Sequence, residues 1–185
     1  MCKHKTCQEI KENGGNIKGS AAVLPLVNYY GKGKHVALLG KEREGQHKGK
    51  YNLVSGKSDN NDGCYIETAM RELSEEFKIN IVNSKQFDNY FRCEKDKTVR
   101  WFMFKGTPVF VGLFVGLKRN DLNNEIKKCH SNNIKWSLQE IEKVDFFTLE
   151  GNKIDDKVNK NNVVVSDFAL AVLSKIDICF IIKKL

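Results

Sequence analysis

Three carboxylates and one guanidinium fall within six consecutive residues, Arg71-Glu72-Leu73-Ser74-Glu75-Glu76. On a helix, at about 100° per residue, Glu72 and Glu76 stand one above the other beside an apolar stripe. Glu75 takes the polar face, with Arg71 as its i,i+4 partner. Stacked carboxylates repel each other, by about a few tenths of a kcal/mol per exposed pair. A hard divalent cation relieves that repulsion, because Mg²⁺ takes oxygen ligands and keeps several waters for exchange with substrate. The competing reading is an ordinary solvated acidic face. The Gly56-Lys57 turn upstream of the helix favours the metal.

The run resembles the signature of the Nudix hydrolases, G-x5-E-x7-R-E-U-x-E-E-x-G-U with U aliphatic. From residue usage alone, R-E-[aliphatic]-x-E-E arises in a chain this long roughly once in two thousand. Counted back from Arg71, the first Glu of that signature falls on Gly63 and its Gly on Lys57. A loop one residue longer restores Gly56 and puts Asp62 in the acidic place, with Glu67 close by. At the far end Lys78 replaces the Gly, while Ile79 keeps the aliphatic position. Lys78 must therefore close the helix at some strain or through a different turn. Tyr51-Asn52-Leu53-Val54-Ser55-Gly56-Lys57 looks like the family's aromatic–x–aliphatic–Pro–Gly–Gly–Lys approach, with Val54 and Ser55 replacing Pro and the first Gly. Glu125-Ile126, Ile134-Lys135-Trp136 and Leu138-Gln139-Glu140-Ile141 look like its loop Glu, Trp strand and short helix. The resemblance spans about residues 19–176.

It implies an α+β fold, a Nudix-like α/β/α sandwich around a mixed β-sheet. It also implies hydrolysis of a phosphoanhydride in a nucleoside diphosphate linked to another moiety, or in a similar small pyrophosphate. Mg²⁺ would be the cofactor, with Mn²⁺ able to substitute. Glu72, Glu75, Glu76 and Gly56 form the implied metal site, and Glu75, Glu76, Glu125 and Arg71 the catalytic set. Glu125 is either a ligand or a general base, or else a solvated loop residue. Arg71 orients Glu75 or Glu67 rather than touching substrate. Lys41, Arg43 and Lys57 are the candidate phosphate clamps, and Tyr51 is the candidate substrate-stacking ring; each has a surface or core reading beside it. Trp101 and Phe102 are strand aromatics of the kind that fill cores. Two alternatives stand beside the small-substrate hydrolase: an RNA 5′-end, cap-cleaving enzyme, and a catalytically silent nucleotide-binding module. Intact Glu72, Glu75 and Glu76 argue against the silent module.

These residues need elements to hold them. Ile66, Ala69, Met70, Leu73 and Phe77 recur at helical spacing, so the acidic run lies on a helix over about 63–77, capped by Asp62 or Asn61. Apolar or β-branched runs predict strands at Ala21–Tyr30, His35–Leu39, Tyr51–Val54, Phe87–Cys93, Thr98–Phe104 and Pro108–Leu117. Pro25 suggests an edge or bulge in the first of them. Gly40–Lys50 and Lys118–Asn133 read as polar loops, Ile134–Trp136 as a strand fragment and Leu138–Lys143 as a short helix. Ser166–Ile176 reads as an amphipathic helix turning Phe168, Leu170 and Leu173 inward, with Val172 and Ile176 beside them. The apolar stretch Ile178–Ile182 should pack or pair. Residues 1–18 read as a polar tail or a loose first element, and 19–185 as one domain.

The 185 residues carry 31 Lys and Arg against 23 Asp and Glu, a formal charge of +8. That balance favours an anionic partner. Only five of the basic residues are Arg, however, which speaks for long-range attraction and against base reading. A small phosphate-rich substrate fits better than a long RNA strand. The longest apolar run, Val109–Leu117, is too short to span a bilayer. The N-terminus lacks the apolar core of a signal peptide. Six scattered cysteines predict reduced thiols in an intracellular compartment. Cys2, His4 and Cys7 lack a second half for a metal cluster, and Cys129 and His130 lack a third group for nucleophilic chemistry.

Overall fold

The strand Ser20–Asn28 (β1) is buried on both sides: Ala21, Val23 and Val27 join one apolar core, while Ala22, Leu24 and Leu26 join another. With side chains alternating at a period of two, a strand covered on both faces must be a near-continuous apolar run. The computed structural model describes residues 4–13, 19–28, 35–93, 97–131, 140–150, 153–154 and 163–175. Around β1 lie His35–Glu42 (β2), Tyr51–Asn52 (β3), Val54–Lys57 (β4), Trp101–Phe104 (β5), Thr107–Val115 (β6), Ile141–Glu150 (β7) and Lys153–Ile154 (β8). The sheet order is β5-β6-β1-β2-β7-β8, with β3 on β2 and β4 on β1. β1 runs parallel to β6 and antiparallel to β2 and β4, so the sheet is mixed.

Among the described residues, five helices cover it. Lys5–Glu12 (α1), Tyr65–Phe77 (α2), Ser84–Phe91 (α3) and Arg119–Ser131 (α4) contribute to the first core, and Asp167–Lys175 (α5) to the second. The result is the expected α/β/α sandwich around a mixed sheet. Gly40 of β2 marks one close approach of α2: a Cβ there would meet Phe77 at 2.6 Å and Ile141 at 2.9 Å.

Pro25 does not mark an edge. β1 pairs with β4 through Val23↔Val54 and with β2 from Leu26↔Ala37, so Pro25 sits where the strand changes partners. The missing N–H costs little at such a gap. The sheet is forked here, with β4 following β1 on one prong and β3 following β2 on the other.

Several expectations fail for identifiable reasons. The polar N-terminal stretch contains α1, capped by His4 Nδ1, which accepts from Thr6 N–H, and packed through Cys7 and Ile10. Two apolar positions at i,i+3 are too few to read as a period. Phe87–Cys93 is largely helix, not strand: Phe87 and Phe91 stack at 4.0 Å on one face of α3, below the Asn83 cap. Aromatic content had outweighed i,i+4 spacing there. The Lys118–Asn133 stretch is mostly α4, held by Leu122 and Ile126, the same i,i+4 minimum. Residues 141–143, expected in a short helix, begin β7. In α5 it is Ala169, Val172 and Leu173 that are buried, and Leu170 is exposed. Cys7, Cys93 and Cys129 are thiols, but Cys64 is disulfide-bonded, which corrects the expectation of reduced cysteines throughout. The expectations for residues 134–139 and residues 178–182 lie outside the described residues. Among the described residues no helix is long and apolar enough to cross a membrane.

Candidate active site

The helix α2 carries the acidic run because its stripe Ile66, Ala69, Leu73 and Phe77 is fully buried against the sheet. Its N-cap is Cys64, without a side-chain cap bond. The expected cap Asp62 is engaged elsewhere, and Glu67 Oε2 reaches back to accept from Gly63 N–H at 2.5 Å. Arg71 organises what surrounds it. Its guanidinium donates to Asp62 Oδ2 at 3.0 Å, to Glu75 Oε2 at 2.8 Å and to the Lys57 carbonyl at 2.7 Å, and lies 2.9 Å from Glu72 Oε1. One side chain thus ties the β4 exit, the loop and two carboxylates together. The longer loop closes on itself, with Asp59 N–H on Asp62 Oδ2 at 2.8 Å and Asp62 N–H on the Asp59 carbonyl at 3.1 Å. Burial would raise the Asp62 carboxyl, but Arg71 and the Asp59 amide hold it below its ordinary value.

Glu72 and Glu76 are 8% and 6% exposed. Burial pushes the Glu72 carboxyl up to about 7, with Arg71 opposing and Glu75 and Glu140 adding. Burial likewise raises Glu76 well above the carboxylate range, with Glu72, Glu140 and Glu42 adding and the Ser55 backbone opposing. Gly56 of β4 lies directly against Glu72: a Cβ there would stand 1.8 Å from Oε1 and 2.2 Å from Cδ. The glycine is needed for space, and the side chain it lacks leaves the carboxylate a berth.

Because the fold raises its pKa, folded Glu72 keeps its proton where the unfolded chain has lost it. The metal-free protein therefore loses stability as pH rises from about 4.5 to about 7. Thermal melts in EDTA at pH 5 and pH 8 should show the higher Tm at pH 5, and Glu72→Gln should narrow the gap. An unchanged gap in that variant contradicts the assignment.

Glu42 and Glu140, which sequence reasoning missed, complete the acidic ring. The pairing of β2 with β7, irregular between Lys41 and Glu42, sets Glu42 opposite Ile141, and Arg43 N–H donates to the Glu140 carbonyl at 2.8 Å. No local pattern could have revealed this, because Glu42 is flanked by Lys41 and Arg43. A cleft of about 800 Å³ opens along the fork, lined among others by Glu42, Glu140, Asn52, Gly56, Lys57 and Phe168.

The remaining candidates divide. Lys57 lines the cleft. Lys41 pairs with Glu142 at 2.9 Å. The Arg43 guanidinium donates to His130 Nδ1 at 2.6 Å, and His130 Nε2 bonds the Ile141 carbonyl at 3.2 Å. Both cations are therefore committed to the protein. Tyr51 is 4% exposed, edge-on to Phe147 at 4.9 Å in the α5-side core, which corrects its reading as a substrate-stacking ring. Glu125 is exposed on α4 and paired with Lys128 at 2.6 Å, outside the acidic ring. Trp101 and Phe102 pack against the two cores.

Lys78 ends α2 in the left-handed region (φ 59°), and Ile79 N–H closes on the Leu73 carbonyl at 3.0 Å. Of the two alternatives the first holds: the turn is the usual one, and Lys adopts it under strain. The left-handed conformation costs a non-glycine residue about 1–2 kcal/mol, partly offset in glycine by about 0.5–1 kcal/mol of chain entropy. Lys78→Gly should thus leave stability unchanged or raise it by up to about 1 kcal/mol, whereas the β-branched Lys78→Val should lower it. Urea melts of both variants check this.

The donor set suits a hard divalent cation: oxygen only, buried at Glu72 and Glu76, and short of compensating charge. Among the described residues no three His, Cys, Asp or Glu side chains already converge at coordinating range. Mg²⁺ needs only one or two carboxylates beside waters and phosphate oxygens, so the residues fit it.

No family model and no curated protein matches the chain. Solved structures similar to it include a MutT/nudix family protein from Enterococcus faecalis (13% identity, TM-score 0.42, covering 80% of this chain and 52% of that one). Another is a bifunctional NMN adenylyltransferase/ADP ribose pyrophosphatase from Francisella tularensis, complexed with AMP and Mn ion (16%, TM-score 0.43, 90% and 44%). A third is the NUDIX domain of Shewanella oneidensis NrtR complexed with ADP ribose (9%, TM-score 0.46, 94% and 95%). The chain spans about half the length of the first two.

Proposed function

We propose that this chain is a Nudix-type hydrolase that opens the diphosphate linkage of a small nucleotide-like substrate with a divalent cation, Mg²⁺ or Mn²⁺. The observation that carries the reading is the Gly56–Glu72 contact. A strand glycine makes room for a buried carboxylate whose i,i+4 neighbour, Glu76, is buried as well. Two buried like charges on one helix face destabilise a fold unless something binds them. Glu72 and Glu76 would hold the cation, with Glu75 and Gly56 beside them. When bound, it would neutralise diphosphate charge and acidify a water. Arg71 positions Glu72 and Glu75 and fixes the Lys57 carbonyl, which aims Lys57 at the cleft where phosphate would lie. The exposed pairing of Glu125 with Lys128 supports no role for it as general base.

The test is a panel of ADP-ribose, dinucleoside polyphosphates and capped RNA, each with Mg²⁺, Mn²⁺ or EDTA. Metal-dependent cleavage of a soluble diphosphate supports the proposal; undiminished activity in EDTA overturns it. The cap-cleaving alternative makes a different prediction. A long single strand should show a log–log salt slope of roughly −0.7 per phosphate contacted. Glu42, Glu44 and Glu140 on the cleft wall and the commitment of Lys41 and Arg43 to protein partners favour few phosphate contacts. A shallow slope is therefore expected for capped RNA. A steep slope coupled to release of the cap nucleotide would promote the alternative.

A further inference from the structure

Asparagine is a poor strand residue, and its amide is costly to bury without partners. Yet Asn52, in the two-residue strand β3, is only 3% exposed. Both ends of the amide are used. The fully buried Ser166 donates its hydroxyl to Asn52 Oδ1 at 2.6 Å, and Asn52 Nδ2 donates to Glu42 Oε1 at 2.6 Å. Ser166 Oγ in turn accepts from Ala169 N–H at 3.1 Å in the first turn of α5. The chain has one direction only. A serine has a single hydroxyl proton, and giving it to Oδ1 forces the Asn52 N–H₂ toward Glu42, which as a carboxylate can only accept. The bond engages Oε1 and leaves Glu42 on the wall of the cleft, beside Ser55 and Gly56.

We propose that Asn52 is a positioning residue of the site: locked by Ser166, its amide holds the Glu42 carboxylate on the cleft wall, as an acceptor for the water shell of a cation held by Glu72 and Glu76, since no three carboxylates among the described residues converge at coordinating range. The inference rests on the metal-dependent reading above and extends it to a carboxylate from a different strand. α5, on the opposite face of the sheet, thereby reaches the site through a buried polar chain. Such chains are strong when every member is satisfied and fail together when one is not.

The competing explanation is that the chain merely docks α5, and swapping donor and acceptor separates the two. Asn52→Asp keeps shape and the Ser166 bond but turns a carboxylate on Glu42. Glu42→Gln removes the charge. The double variant N52D/E42Q restores one donor and one acceptor between the same positions. Mn²⁺ binding to the full chain is read by electron paramagnetic resonance, and Tm by calorimetry, both without substrate. E42Q and N52D should each raise the half-saturating Mn²⁺ concentration at least about tenfold. The double variant should recover most of the wild-type Tm but keep the weakened Mn²⁺ binding. Wild-type Mn²⁺ affinity in E42Q or N52D, or affinity restored together with Tm in the double variant, overturns the proposal. If N52D does not fold, E42Q at the half-buried Glu42 decides alone. Wild-type protein that binds no Mn²⁺ overturns the metal reading itself, and with it this inference; that outcome is told apart by the wild-type arm.

Discussion

Glu76→Gln is expected to lower metal-dependent turnover of a diphosphate substrate by about two orders of magnitude or more. The substitution keeps the shape of the side chain and removes one ligand charge. Glu76 is almost fully buried, and burial together with Glu72, Glu140 and Glu42 raises its carboxyl well above the ordinary range. Ionised Glu76 is therefore costly to the empty fold, and the neutral amide should raise the Tm of the metal-free protein above that of the wild type at pH 8. The same change should thus weaken function and strengthen the fold, as expected where a site holds unfavourable charge for use. Steady-state rates over an Mg²⁺ series, with melts in EDTA, measure both. Wild-type turnover in the variant would remove Glu76 from the site.

Gly56→Ala should be as damaging, although it changes no charge. A Cβ at 1.8 Å from Glu72 Oε1 cannot coexist with the carboxylate where it stands. The backbone cannot yield, because Gly56 is paired with Ala21 in the β1–β4 ladder and Arg71 holds the neighbouring Lys57 carbonyl. Glu72 must therefore swing away from Arg71. Activity should fall at least about a hundredfold, on the scale of losing a metal ligand, and Tm should drop. The double variant G56A/E72A should regain Tm, since the overlap is gone, without regaining activity. Full activity in Gly56→Ala would show that Glu72 works from another position.

What the chain discloses locally is confined to α2 and the strands with clean alternation. The stripe from Ile66 to Phe77 and the Arg71–Glu76 run lie within one helix, where spacing alone fixes mutual position, so that half of the candidate site was readable. Glu42, Glu140, Asn52 and Ser166 come from four separate stretches, and their meeting depends on the β2–β7 pairing and on where α5 docks. No window of sequence contains that information. Lys41, Arg43 and Tyr51 misled for a related reason. Their types suit a phosphate or a base, but the fold turns each toward a protein partner: Glu142, His130 and Phe147. The α3 and α4 helices were missed because each is held by only two large apolar residues four apart, a pattern that polar loops also contain by chance.

The forked sheet has a consequence for how this protein can change. The cleft is framed by Glu42, Asn52, Ser55 and Gly56, residues of strands that diverge from one another and are each clamped by a ladder on the other side. Its width is therefore a property of the backbone architecture and resists single substitutions. The rim is different: Glu44, Gln46, His47, Thr107 and Phe168 stand on turns and element ends that carry no ladder across the opening. Laboratory evolution toward a new leaving group should accordingly collect its mutations at those five positions, with the strands between them left untouched.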